Sequence, residues 1–101
     1  MVVISKTILN EFSRAHPSAE KALVKWYELT KSSDWKNFSD LIKTFSTADV
    51  VANDRYVFNV KGNQYRIVAL IIFKVRTVFV LFVGTHTEYD NIDVATINYK
   101  K

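Results

Sequence analysis

Two apolar runs, IVALIIF at 67–73 and VFVLFV at 78–83, follow each other with only the four residues of KVRT between them. Both are dominated by β-branched and aromatic residues, each is far shorter than the roughly 20 residues a membrane helix needs, and Lys74 and Arg76 break them apart. They predict two buried strands over 64–73 and 78–85, joined by a turn over 74–77. A sheet this apolar must be covered, and the cover has to come from the rest of a 101-residue chain.

The first half supplies it. Ile8, Leu9, Phe12 and Ala15 recur at helical spacing and predict a helix over 6–15, ended by His16-Pro17 because the residue before proline avoids the α region. Pro17 and Ser18 suit the first turn of a second helix over 17–30, whose inner face is traced by Ala19, Ala22, Leu23, Trp26, Tyr27 and Thr30. Phe38, Leu41, Ile42 and Phe45 predict a third over 34–45. Residues 2–5 form a short β-prone segment, 56–60 a further strand, and Val94 and Ile97 anchor the C-terminal tail. Helices first and a strand meander afterwards predict an α+β fold: a small antiparallel β-sheet with N-terminal helices packed on one face, in a single domain spanning 1–101.

The turn between the first two meander strands has a geometric consequence. If Gly62-Asn63 forms a two-residue hairpin loop, Lys61 faces Gln64 and Asn59 faces Arg66, and alternation puts all four on one side of the sheet. Tyr56, Phe58, Tyr65, Ile67 and Ile71 then point toward the helices. Whether Thr85 or His86 lies across from Arg66 depends on the second loop, because a one-residue slip reverses the facing.

Charge placement says more than the net value of +4. Residues 1–50 hold seven bases and six acids, whereas 55–87 hold Arg55, Lys61, Arg66, Lys74 and Arg76 with no acid. A one-signed stretch forming one side of a sheet points to an anionic partner, with nucleic acid the commonest case. The absence of cysteine excludes disulfides, Cys-ligated zinc, iron–sulfur clusters and a thiol nucleophile, and two histidines argue against a multi-histidine site, so no metal or other cofactor is expected. Four apolar residues before Ser5 are too few for a signal peptide or a membrane span, and a cytoplasmic protein with no membrane association is expected.

Arg66 is the most conspicuous candidate, since a guanidinium inside an apolar strand needs either an ion-pair partner, with Asp54, Glu88 or Asp90 available, or a ligand such as phosphate. His86 follows a buried strand, where it either caps and hydrogen-bonds or titrates in reach of a substrate. Tyr89 and Asp90 share its face if 86–90 is a helical turn, although composition alone favours packing for Tyr89. Asn59, Lys61, Asn63 and Gln64 line the hairpin. His16 reads as a surface helix-end residue, and Trp26 and Trp35 as core aromatics. Arg66, Lys61, His86 and Tyr89 suit RNA cleavage without metal, in which the 2′-hydroxyl attacks the adjacent phosphodiester, proton transfer is assisted and cations offset phosphorane charge.

The stretches YVFNVKGNQYRIVALIIF and FVGTHTEYDNID, with DWKNFSDLIKTFSTADVV before them, resemble the HigB family of toxins, a branch of the RelE-like superfamily. The resemblance covers nearly the whole chain. It implies the toxin of a type II toxin–antitoxin pair, an mRNA endoribonuclease acting on message in the ribosomal A site and inhibiting translation. It also implies a helix-turn-helix, HigA-like antitoxin as partner, with DNA contacted only indirectly through that antitoxin. By the same resemblance Arg66 matches the strand arginine at the scissile phosphate, His86 and Tyr89 lie in the segment supplying acid–base and positioning groups, and Asn59, Lys61 and Asn63 fall on the hairpin expected to touch RNA; Asp90 is a further catalytic candidate, as the base or as the orienter of His86, and Gln64 a further RNA-binding one on the hairpin. RelE carries lysines where this chain has Val57 and Asn59, and an arginine near His86, so its proton-transfer roles do not transfer. The alternative within the superfamily is a ParE-like toxin, which binds DNA gyrase and cuts no RNA; a third is an inactive relative serving only as antitoxin partner.

Overall fold

A computed structural model describes residues 1–98. Strand β1 (Val2–Ile4) leads into α1 (Lys6–Ala15), a 3-10 turn at Pro17–Ala19, α2 (Glu20–Ser32) and α3 (Phe38–Thr44). Strands β2 (Asp49–Val50), β3 (Arg55–Val60), β4 (Tyr65–Ile72) and β5 (Thr77–Thr85) follow, and α4 (His86–Asp90) comes directly after β5. The expected α+β arrangement holds. The sheet is mixed, however, in the order β1-β5-β4-β3-β2, because β1 pairs parallel with β5 while the other pairs are antiparallel.

Local chemistry sets the helix ends. Ser5 Oγ accepts from the Thr7 N–H at the start of α1, and His16 closes it by donating its backbone N–H to Phe12. The third helix starts at Phe38 and not near residue 34. Trp35 is inserted into the core with its indole N–H donating to Thr44 Oγ1 (3.0 Å), which holds the preceding backbone out of helix, and Asn37 Oδ1 then caps by accepting from Asp40 N–H.

One sheet face carries Tyr56, Phe58, Tyr65, Ile67 and Ile71, as expected, and packs on Leu9, Leu23, Trp26, Trp35 and Leu41 of the helical layer. The other face is also covered. Val57, Val68 and Leu81 form a second, smaller core beneath Tyr89, Ile92, Val94 and Ile97, so Val94 and Ile97 do anchor the tail. Burying three such side chains is worth about 1.5–3 kcal/mol each.

A bulge in β5 sets the register around Arg66. Val68 pairs with Phe82 but Ala69 with Val80, which leaves Leu81 as the extra residue, and both Leu81 and Phe82 join the second core. Gly84, and neither Thr85 nor His86, therefore lies across from Arg66, while Thr85 pairs with Tyr65. A side chain at 84 would collide with Phe82, whose ring would stand 2.3 Å from an added Cβ.

The β3–β4 turn keeps Asn59 opposite Arg66 but is longer than a two-residue loop. Val60 pairs with Tyr65, the left-handed residues are Lys61 and Gly62 in place of Gly62 and Asn63, and Lys61 to Gln64 stand in solvent as the loop itself.

Candidate active site

The acid-free stretch does not assemble into one charged face. Arg55 is sealed beneath the tail, donating to the carbonyls of Ile97 (2.7 and 3.2 Å) and Asn53 (2.8 Å) and to Asn98 Oδ1 (3.0 Å). Lys74 and Arg76 lie past the other end of β4, about 20 Å from Arg66 at the usual strand rise, and Arg76 pairs with Asp34 at 2.7 Å. What remains at the near end is Arg66, with Lys61 exposed on the turn beside it.

Among the described residues Arg66 has no carboxylate partner. Its described contact is the ring of Tyr89, 5.3 Å from the guanidinium carbon, and its Nε is buried without an acceptor. The three acids expected to neutralise it are elsewhere. Glu88 Oε1 accepts from the Thr85 backbone N–H (2.8 Å) while Thr85 Oγ1 accepts from the Glu88 N–H (3.2 Å), a reciprocal cap that starts α4 directly where β5 stops. Asp90 Oδ2 faces His86 Nδ1 at 3.2 Å, one helical turn apart. Asp54 sits in a left-handed turn, its carbonyl accepting from the Ile71 N–H.

The helix expected conditionally at 86–90 is thus present and divides its groups. Tyr89 turns inward over Arg66 and into the second core, so it does pack. His86 and Asp90 stay exposed, with side chains 52% and 59% accessible. With Nδ1 beside the Asp90 carboxylate, Nε2 is the His86 nitrogen left for a substrate. On the strand side, Asn59 stands opposite Arg66 with Oδ1 buried and unpartnered. Arg66 Nε and Asn59 Oδ1 are thus two buried polar atoms on cross-strand neighbours that make no hydrogen bond among the described residues. Asn63 and Gln64 are exposed on the turn, away from this pair.

Arg66 with Tyr89 and Asn59, and His86 with Asp90, therefore form two sets at the end of the sheet where β5 passes directly into α4. Between them these residues can hold an anion at the guanidinium, take or give a proton at His86 and hydrogen-bond a sugar or base through Asn59. Two roles were not read from the sequence: the reciprocal cap of Thr85 and Glu88, whose T-x-x-E spacing is its signature, and the hold of Arg55 on the tail, although its alternation with Val57 and Asn59 puts it on this face. His16 is half-buried, stacked on Phe12 (4.1 Å) and edge-on to Tyr65 on the opposite sheet face. Trp26 and Trp35 are core residues as expected. No helix among the described residues is long and apolar enough to cross a membrane.

Residues 19–92 match the HigB toxin family, described as the RelE-like toxic component of a toxin–antitoxin system. The chain is 32% identical over 94 residues, 91% of each chain, to an mRNA interferase HigB of Escherichia coli O6:H1. It is 29% identical over 92 residues to an mRNA interferase toxin HigB of Escherichia coli K12, covering 89% of this chain and 88% of that one, and matches an mRNA interferase HigB of Shigella flexneri to the same extent.

Proposed function

The chain belongs to the HigB family of RelE-like toxins, and on that premise we propose that it is an mRNA endoribonuclease that arrests translation until an antitoxin binds it. The observation that carries the chemical reading is the unneutralised Arg66, left without a carboxylate because Glu88 is spent on the helix cap and Asp90 on His86. A guanidinium resting on an aromatic ring, with no carboxylate partner among the described residues, suits paired N–H donation to the two non-bridging oxygens of a phosphodiester.

In this reading the message lies with its scissile phosphate on Arg66. His86 Nε2 accepts the 2′-hydroxyl proton as the 2′-oxygen bonds to phosphorus. The P–O5′ bond then breaks and the 5′-oxygen leaves with a proton from solvent, giving a 2′,3′-cyclic phosphate and a 5′-hydroxyl end. Arg66 offsets the charge gathering on the phosphorane, Asp90 holds the His86 ring and tautomer, and Tyr89 fixes the guanidinium plane while its hydroxyl orients the nucleophile. Asn59 and Lys61 hold the flanking chain, with Asn63 and Gln64 at its periphery.

The family resemblance supports three finer readings: presentation of the message by the ribosome in the cytoplasm, a helix-turn-helix antitoxin as the silencing partner, and residues 1–101 acting as one RelE-like domain. Programmed ribosomes incubated with the purified protein test the function. Arg66→Ala and His86→Ala, each with an unchanged circular dichroism spectrum, are expected to lose on the order of 10²- to 10⁴-fold in cleavage rate. Normal cutting by both would refute the assignment.

A further inference from the structure

The helical side of the molecule has an open cavity of about 420 Å³ between α2, the chain following α3 and the free end of β3. That volume lies in the range of ligand sites, roughly 300–1,000 Å³. Its walls are apolar and aromatic, from Trp26, Leu29, Phe45 and Val60, its rim carries Lys25 and Lys61, and no acidic residue lines it. Trp26 is 3% exposed and its indole N–H is buried without an acceptor.

Strand pairing adds a second set of unused groups. Arg55 exchanges hydrogen bonds with the residues leading from β2, accepting from Val51 N–H and donating to the Ala52 carbonyl, so the backbone groups of 55, 57 and 59 face that edge. Strand β2 pairs only with Tyr56 and Val57. The N–H and C=O of Asn59 thus face the cavity with no strand beside them, and Asn59 is among the lining residues. The same residue places its side chain opposite Arg66 on the other sheet face. One residue therefore joins the two places around the end of the sheet.

We infer that this cavity is a nucleotide subsite for the message, holding a base next to the scissile phosphate. The apolar wall, with the partly buried Phe45 ring in it, suits a base face, the Asn59 backbone offers one donor and one acceptor to a base edge, and Lys25 and Lys61 suit the phosphates on either side. A peptide strand of the antitoxin is a poorer fit. The open edge of β3 beyond Val57 presents a single outward-facing residue before the strand ends at Val60, too short a template for strand addition.

This inference rests on the RNA-cleaving reading, and binding measurements separate the two. The probe is a short message with a 2′-deoxy nucleotide at the cut, free and on programmed ribosomes, carrying an abasic nucleotide at each neighbouring position in turn. For the wild-type protein one position beside the cut should lose about tenfold in affinity when abasic. Lys25→Glu, an exposed substitution, should weaken binding of the intact probe about tenfold, and Ser46→Trp, at an exposed lining position, should fill the cavity and erase the abasic penalty. If both variants bind within twofold of wild type, or lose only the antitoxin, the subsite is overturned. Wild-type protein that cuts message while both variants bind normally leaves the nuclease reading standing without the subsite; protein that cuts nothing but shows the base- and Lys25-dependent binding leaves the subsite without the nuclease.

Discussion

Arg55→Leu removes the fastening that holds the C-terminal segment over the sheet, and with it the seat of α4. Arg55 is 9% exposed and makes four hydrogen bonds, two to the Ile97 carbonyl and one each to the Asn53 carbonyl and Asn98 Oδ1. Three of these reach the C-terminal segment, and Asn53 adds a fourth tie by donating its side-chain N–H to the Ala95 carbonyl. A hydrogen bond from a charged donor contributes about 1.5–3 kcal/mol net, but these share one side chain and leave acceptors that water can reach, so the total loss is about 2–4 kcal/mol. For a domain of this size that lowers Tm by roughly 10–25 °C. The segment also covers Val57, Val68 and Leu81 in the small core that Tyr89 shares. Backbone amides in 86–98 should exchange faster in the variant well before global unfolding, and cleavage should fall with the loss of order at α4. Arg55→Lys keeps the charge but not the fork and should fall between. Thermal melting followed by circular dichroism, with hydrogen exchange on the same samples, checks this. An Arg55→Leu protein melting within 2 °C of wild type, with unchanged exchange in 86–98, would refute the reasoning.

Tyr89→Phe retains the ring against Arg66 and should keep fold and RNA affinity while losing activity through the hydroxyl, whereas Tyr89→Ala removes a contact worth about 0.5–2 kcal/mol and should lower both stability and affinity; parallel melts and binding titrations distinguish them. Thr85→Ala breaks the reciprocal cap at about 1 kcal/mol and frees Glu88, so message affinity should fall further than stability if the released carboxylate reaches Arg66; binding at two salt concentrations reads this. Gly84→Ala forces the Phe82 ring to move and should cost about 1–3 kcal/mol, seen as a lowered Tm.

Much of this was legible because hydrophobic periodicity and turn chemistry act locally. The spacing of Ile8, Leu9 and Phe12 and the His16-Pro17 stop predict α1 as observed, and the Gly62-Asn63 turn brings Asn59 opposite Arg66 even though the loop closes one pair further back. What was not legible depends on distant partners. A three-residue segment such as Val2–Ile4 carries no signal for a parallel pairing with β5, and the bulge at Leu81 follows from filling the second core, which alternation alone does not reveal. Charge misled for a related reason. Arg55, Arg66 and Arg76 look alike in the sequence, but the first is held chiefly by the tail at Ile97 and Asn98, the last by Asp34, and the middle one rests on the Tyr89 ring with no carboxylate among the described residues.

The central claim is that a positive charge left open at Arg66, beside a His86 oriented by Asp90, cuts message through its own 2′-hydroxyl. End-group mapping tests this most directly: purified wild-type protein, Arg66→Ala and His86→Ala are each incubated with programmed ribosomes, and both ends of every fragment are identified. The account predicts new 5′-hydroxyl and 2′,3′-cyclic phosphate ends with wild type and their loss with either variant. Intact message with wild type, ends carrying a 5′-phosphate, or cutting by both variants at the wild-type rate would contradict it.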